Sequence, residues 1–296
     1  AVTGEELMGT GISYSIDEGE NWFYISQPID NIPESGQYQT ISWGDQDISA
    51  LAVTTEINNI SYDLAIGEDY IYAASWAGGL RRFGPIYSEQ KSWQIIPLPM
   101  DSDTNLMCGL IDLETYELNP NDPINGGNHN HKGFSVHVIN DTIWAGTANG
   151  INKGILESEE SDCINWEHHY TSTWNNISGN WVIGFTHQEL SSSITRLWAI
   201  TWAGEGNSET HALSYTDDGG KNWKITYPSG GPEKAYNLYA NESRVWAASE
   251  SGLYVSEDGQ HWEKYSRPID ALTGKEILSE SVLAVYYQDN WLWLGT

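Results

Sequence analysis

The sequence predicts an all-β protein assembled from repeated four-stranded antiparallel sheets, and three observations predict it. Trp (15) and Tyr (17) are abundant while Met (3) and Phe (4) are scarce; aromatic, Gly-rich chains poor in helix formers lean towards β structure. A hairpin pattern recurs five times along the 296 residues. An acidic, Gly-containing turn that ends in Trp recurs beside it.

The hairpins come first, because self-similarity at a fixed period decides the architecture. An alternating strand ends in an aromatic-small pair at Ile71-Tyr72-Ala73-Ala74, Ile143-Trp144-Ala145-Gly146, Leu197-Trp198-Ala199-Ile200, Val245-Trp246-Ala247-Ala248 and Leu292-Trp293-Leu294-Gly295. A polar turn precedes each one, such as Asn140-Asp141 or Gln288-Asp289-Asn290, and another apolar strand precedes the turn. That is a hairpin signal. Successive copies start 72, 54, 48 and 47 residues apart, so units of about 40–45 residues carry loop insertions. The longest insertion falls at 100–131, where Asn119-Pro120-Asn121-Asp122-Pro123-Ile124-Asn125-Gly126-Gly127 is dense in turn formers.

The acidic turn is clearest in Ser15-Ile16-Asp17-Glu18-Gly19-Glu20-Asn21-Trp22. It recurs in Tyr215-Thr216-Asp217-Asp218-Gly219-Gly220-Lys221-Asn222-Trp223 and, one residue shorter, in Ser256-Glu257-Asp258-Gly259-Gln260-His261-Trp262. Weaker versions end at Trp93 and Trp166. Asp and Ser side chains bond the turn backbone, Gly tolerates positive φ, and Trp resumes the next strand with a large apolar face. Asp17, Gly19 and Trp22, Asp217, Gly219 and Trp223, and Asp258, Gly259 and Trp262 are therefore read as structural rather than catalytic.

These turns resemble the Asp-box, or bacterial-neuraminidase repeat, Ser-x-Asp-x-Gly-x-Thr/Asn-Trp. The hairpin is similar to that of two-component-regulator-type propellers, whose Trp-x-Gly-Thr-x-x-Gly-Leu signature is matched by Trp144-Ala145-Gly146-Thr147-Ala148-Asn149-Gly150-Ile151. The resemblance implies a β-propeller of four-stranded antiparallel blades. Five blades are detectable, and six or seven are expected if the chain belongs to a longer parent. The expectation is one propeller domain over 1–296, with a closing blade shared by 1–28 and 280–296; closure abolishes exposed sheet edges. Leu7-Met8-Gly9-Thr10, read as the end of another hairpin strand, favours the longer parent instead.

The resemblance does not extend to sialidase activity. Sialidases share an arginine triad and a Phe/Tyr-Arg-Ile-Pro segment, whereas this chain has five arginines (Arg81, Arg82, Arg196, Arg244, Arg267) and no such segment. Neither Gly-x-Ser-x-Gly, His-Glu-x-x-His, a phosphate loop nor Cys-x-x-Cys is present.

Strands in a blade alternate direction, so loops after the second and fourth strands share one face. That face collects Ser75-Trp76-Ala77-Gly78-Gly79, Thr201-Trp202-Ala203-Gly204-Glu205 and the 100–131 insertion, and loops on a rigid scaffold are where binding resides. Trp76 and Trp202 occupy matching positions there, either as aromatic platforms for sugar rings or as core plugs. His129 and His131 are imidazoles with ligand chemistry, in a His-x-His pair without a third ligand at diagnostic spacing. Asp101 and Asp103 could offer oxygens to Ca, without the full twelve-residue calcium loop; no cofactor is otherwise expected.

Net charge is −28, with 13 Lys and Arg against 41 Asp and Glu. Such a surface repels phosphate backbones and anionic leaflets, so no nucleic-acid or membrane-surface partner is expected. No apolar run approaches the roughly 18 residues of a membrane span. The opening Ala1-Val2-Thr3 fits a removed signal peptide or a fragment. Cys108 and Cys163 would pair in an exported protein and stay reduced in a cytosolic one.

The leading functional expectation is an exported, non-catalytic propeller, secreted, periplasmic or on the cell surface, that binds a glycan or protein partner. The alternatives are an Asp-box glycoside hydrolase acting on polysaccharide through paired carboxylates, and a scaffold domain of a longer surface protein or assembly.

Overall fold

The computed structural model describes residues 9–32, 36–56, 59–158, 161–171, 177–204, 208–265, 268–277 and 280–296. Leu7, Met8, Glu205 and Arg267 lie outside them. The chain divides into two compact units, 1–145 with 154–167 and 146–153 with 168–296. Among the described residues there is no α-helix, only two 3-10 turns at Pro123–Asn125 and His129–His131.

In the first unit, β1 (Ile12–Tyr14) and β2 (Phe23–Ile25) pair as one hairpin, and β3 (Tyr38–Trp43) and β4 (Gln46–Leu51) as another. Gly44, at φ 59°, takes the first position of the two-residue turn that joins β3 to β4, a place where glycine is favoured. An antiparallel meander follows, with β5 (Asp63–Ile66), β6 (Ile71–Ser75), β7 (Gly79–Gly84) and β8 (Ser92–Ile96) in chain order. The insertion supplies β9 (Asn105–Leu106) and β10 (Glu117–Leu118); β10 pairs in parallel with β4. The next meander is β11 (Gly133–Ile139), β12 (Thr142–Thr147), β13 (Gly150–Ser158) and β14 (Ser161–His169), with β9 added at its outer edge against β14.

The second unit carries two further four-stranded meanders. One is β15 (Trp181–Ser191), β16 (Ile194–Trp202), β17 (Ala212–Thr216) and β18 (Lys224–Thr226). The other is β19 (Ala235–Ala240), β20 (Val245–Ser249), β21 (Gly252–Ser256) and β22 (Glu263–Tyr265), after which β23 (Ala284–Gln288) and β24 (Trp291–Gly295) form a hairpin.

Packing explains why the hairpin motif is apolar throughout instead of alternating. Along β20, Val245 and Ala247 join a core with Trp198, Leu213 and Tyr215, while Trp246 and Ala248 join another with Val282 and Val285. Both faces of this sheet are covered, so alternate residues of one strand feed two cores. The first unit repeats the device. Tyr72 and Ala74 of β6 pack with Trp43, Val136 and Trp166, whereas Ile71 packs with Ile12 and Ile25. The outermost strand β22 is exposed along its length.

A glycine opens the third strand at matching places: Gly79 (φ 64°), Gly150 (φ 113°) and Gly252 (φ 137°). At Gly150 a Cβ would lie 2.2 Å from the His169 carbonyl oxygen, so the close approach excludes any side chain. Gly11 (φ 114°) stands immediately before β1, which marks β1–β2 as third and fourth strands.

Two expectations need correction. Trp166 does not open the fourth strand as the other turn tryptophans do: it is fully buried in the middle of β14 and pairs with Leu106. The second acidic turn is shifted by one residue, as its hydrogen bonds below show.

Candidate functional site

The acidic turns each join a third strand to a fourth. Asp17 accepts from the backbone N–H of Asn21 (2.8 Å) and from Asn21 Nδ2 (2.5 Å), while Gly19 N donates to Ser15 Oγ and Trp22 Nε1 donates to the Gly19 carbonyl. In the second turn the same places are taken by Thr216, Asp218, Gly220 and Asn222: Asn222 donates to Asp218 through N and Nδ2, and Gly220 N donates to Thr216 Oγ1. Asp217 and Gly219, expected in these roles, are displaced. Asp217 instead pairs with Arg196 (2.5 Å) and Lys224 (3.2 Å). In the shortened third turn Asp258 accepts from His261 N and Nδ1 and from Gln260 N, and Gly259 N donates to Ser256 Oγ. Trp223 is buried and Trp262 half-buried, while Trp22 is exposed.

The loops after the second strands hold the two candidate indoles. Trp76 is 38% exposed. Phe134 tilts against it with ring centroids 5.1 Å apart, and Lys132 Nζ stands 5.1 Å from its centroid. Trp202 has the same companions at the same offsets: Lys234 Nζ at 5.0 Å and Tyr236 edge-on at 5.9 Å. Lys-small-aromatic entering the following first strand thus brackets both indoles. Trp202 is held further, since its Nε1 donates to the Ala235 carbonyl at 2.8 Å and its ring packs on the core of the second unit. Trp76 is the accessible one.

His131 is not available as a ligand. It is 1% exposed, with Nδ1 accepting from Asn119 N (2.9 Å) and Nε2 3.0 Å from the Leu98 carbonyl oxygen; a neutral ring protonated at Nε2 meets both partners. His129 is half-buried on the same 3-10 turn, its backbone N–H donating to Asp101. The Asp101 carboxylate takes the N–H groups of His129 and Asn130 (2.9 and 2.7 Å), which fixes the turn. Among the described residues no group of three or more His, Cys, Asp or Glu is placed to hold a metal ion. Cys108 and Cys163 form a disulfide, Cα–Cα 6.0 Å, that ties the insertion to β14.

The sequence reading missed a cavity in the first unit, of about 790 Å³. It is framed by the segment after β2, by β3, and by β7 and β8. Arg81 and Arg82 are adjacent on β7 and so project to opposite faces. The Arg81 guanidinium donates to both Asp30 oxygens (2.7 and 2.9 Å) and to Thr54 Oγ1 (2.7 Å). Asp30 also accepts from the N–H groups of Val53 and Thr54, each at 2.9 Å. Burial pushes the Asp30 carboxyl up, but the Arg81 charge and the Thr54 N–H outweigh it and hold it below its ordinary value. Arg82 Nε donates to Gln94 Oε1 (2.7 Å), and its guanidinium lies over the rings of Trp43 (5.2 Å) and Tyr70 (4.5 Å), a cation–π arrangement. The only signal in the sequence was an Arg-Arg doublet in a chain of five arginines.

No family model matches the chain, and no curated protein matches it. Among solved structures it is similar to PorZ, a surface component of the type-IX secretion system of Porphyromonas gingivalis, with TM-score 0.54 and 14% identity over 97% of this chain and 36% of that one. It is also similar to the extracellular domain of a putative hybrid two-component system from B. thetaiotaomicron, with TM-score 0.50 and 14% identity over 90% of this chain and 31% of that one. The chain therefore spans about a third of the length of either. The likeness is one of fold: this is an all-β chain of four-stranded antiparallel sheets in the manner of β-propeller proteins.

Proposed function

We propose that the chain is a non-catalytic β-propeller of the Asp-box type, displayed outside the cytoplasm, that binds a glycan or protein partner through the loops following its second strands. One propeller domain over 1–296 is part of this reading. The observation that carries it is Trp76: an indole 38% exposed, held in place by Phe134 and Lys132, beside the point where the long insertion returns to β11. Aromatic rings on a rigid frame supply contact area at low cost in conformational entropy. The disulfide supports an oxidising compartment. The extracellular and surface settings named for the two structural neighbours agree with it.

The test is a glycan array, and a binding screen against exported proteins of the source organism, run on wild type and Trp76→Ala with thermal melts alongside. Loss of a specific signal in Trp76→Ala, with the melt shifted by no more than about 1–2 kcal/mol of stability, supports the reading. A specific partner bound equally well by Trp76→Ala refutes the role of this loop.

A further inference from the structure

We propose that the chain associates head to tail, the β23–β24 hairpin of one copy docking on the face that β1–β2 and β5–β6 present in a second copy. The observation is a mismatch within the repeat. At the second place of the hairpin motif stand Tyr72, Trp144, Trp198 and Trp246, each 4% exposed or less, and Trp293, which is 61% exposed. Three of the buried rings are covered in one way. Tyr72 packs with Val136, Trp198 with Leu238 and Trp246 with Val285, each an apolar residue on the first strand of the following sheet. Leu64 holds the same place on β5, opposite Ala73 as Leu238 is opposite Ala247. Yet Leu64 is 44% exposed, and Ile66 beyond it is exposed too. The chain thus carries one exposed motif tryptophan and one exposed covering face.

A second copy is the occupant because it carries both complements. In the second unit Trp198 shares one core with Leu213, Tyr215, Leu238 and Val245. In the first unit those last four places are taken by Ile12, Tyr14, Leu64 and Ile71, with Ile12 packed on Ile71 and Tyr14 against them. The place of Trp198 is the one that Trp293 of another copy takes. The backbone completes the fit. Among the described residues β24 pairs only with β23, and β1 only with β2. Val285 N bonds Asn237 as Val136 N of the first strand β11 bonds Asp63, so β23–β24 are first and second strands and β1–β2 third and fourth. Elsewhere Trp198 pairs with Tyr215 and Trp246 with Val255. The same register sets Trp293 opposite Tyr14 and covers two open edges, which are otherwise a liability. The closing sheet expected from 1–28 and 280–296 is then built from two copies. Each copy carries −28, so charge opposes the contact and salt, by screening, favours it.

The experiment is sedimentation velocity of the full chain over a range of concentrations, at low and at high salt. The expected result is concentration-dependent association that strengthens with salt. Trp293→Glu and Leu64→Glu, both at exposed positions, are each expected to stay monomeric where the wild type associates. Mixed together they are expected to form a dimer and nothing larger. One variant keeps the β5 face and the other keeps β24, a rescue that a head-to-tail contact gives and a symmetric one does not. Thermal melts establish that the variants fold. If either does not, hydrogen exchange of the wild type stands in, with protection of β1 and β24 expected to rise with concentration. A wild type that is monomeric at every concentration and salt overturns the proposal, whether β24 meets β1 within one chain or neither is covered. So does association undisturbed by Trp293→Glu, a mixture that yields no dimer, or oligomers that dissociate as salt rises.

Discussion

Arg81 and Asp30 are joined at 2.7 Å with side chains only 6% and 2% exposed, the buried ion pair of the first unit's cavity wall. Breaking a buried pair is costlier than never having had one, because the survivor keeps its charge without its partner. Asp30→Ala is therefore expected to destabilise by about 3–5 kcal/mol. The double variant Asp30→Leu with Arg81→Met is expected to recover much of that loss. Urea unfolding of Asp30→Ala and of the double variant checks this. Asp30 titrates below its ordinary value in the fold, so its stabilisation is complete above about pH 4 and disappears as pH falls through the lower, folded value.

The disulfide between Cys108 and Cys163 closes a stretch of 55 residues. Chain entropy alone assigns such a loop on the order of 4 kcal/mol. Cys108→Ser with Cys163→Ser, or reduction, is expected to lower the melting temperature and to raise protease sensitivity first within 100–118, where the insertion loses its tie to β14. Cleavage mapping by mass spectrometry reads this directly, and an unchanged melt would show that the bridge is dispensable.

Asp258 and His261 meet at the third acidic turn, Oδ2 to Nδ1 at 2.6 Å, both largely exposed. The Asp258 hydrogen bond and charge raise the His261 ring above its ordinary value. His261 and the Gln260 N–H hold Asp258 well below its own. A histidine with a raised folded value stabilises below the unfolded value near 6.5 and loses that contribution as pH rises through the folded one. An NMR titration is expected to place His261 above an ordinary imidazole, and Asp258→Asn to bring it back. Equal midpoints in the two proteins would refute the coupling.

The repeating frame was legible in the sequence because each copy uses the same local physics. Val245-Trp246-Ala247-Ala248 and Ile71-Tyr72-Ala73-Ala74 lie where a strand is covered on both faces, and the glycines opening third strands lie where backbones touch. Register within a turn was less legible. Asp217 and Asp218 are adjacent carboxylates, and only the bonds to Thr216 and Asn222 reveal that Asp218 belongs to the turn while Asp217 answers Arg196. The cavity was illegible because its wall gathers Gln27, Gln39, Trp43 and Gln94 from distant segments. No spacing announces such a meeting. His131 looked like a ligand for a related reason: sequence shows an imidazole and not the Asn119 N–H and Leu98 carbonyl that already occupy it.

Asp63 and Asn237 occupy equivalent places, each pairing with the second alanine of its motif, Ala74 and Ala248. Each side chain reaches from a first strand to the next sheet's first strand. Asp63 Oδ2 accepts from Val136 N at 3.0 Å, and Asn237 Oδ1 accepts from Val285 N at 2.9 Å. The bond is the same, but only one of the two carries a charge. Burial raises the Asp63 carboxyl above its ordinary value, and the N–H groups of Val136 and Leu64 only partly offset this. A carboxyl raised in the fold favours the native state most when protonated. Its contribution is full below the unfolded value near 3.9 and declines as pH rises through the higher folded value. Asp63→Asn keeps an acceptor for Val136 and removes the titration. The variant is therefore expected to gain stability relative to wild type as pH rises from about 4 towards neutrality, with a difference that levels off once Asp63 is fully ionised. Paired urea titrations of wild type and Asp63→Asn at successive pH values measure that difference directly, since the other carboxylates cancel between the two proteins. A difference that is flat with pH, or that moves the other way, would show that the Val136 and Leu64 bonds outweigh the burial.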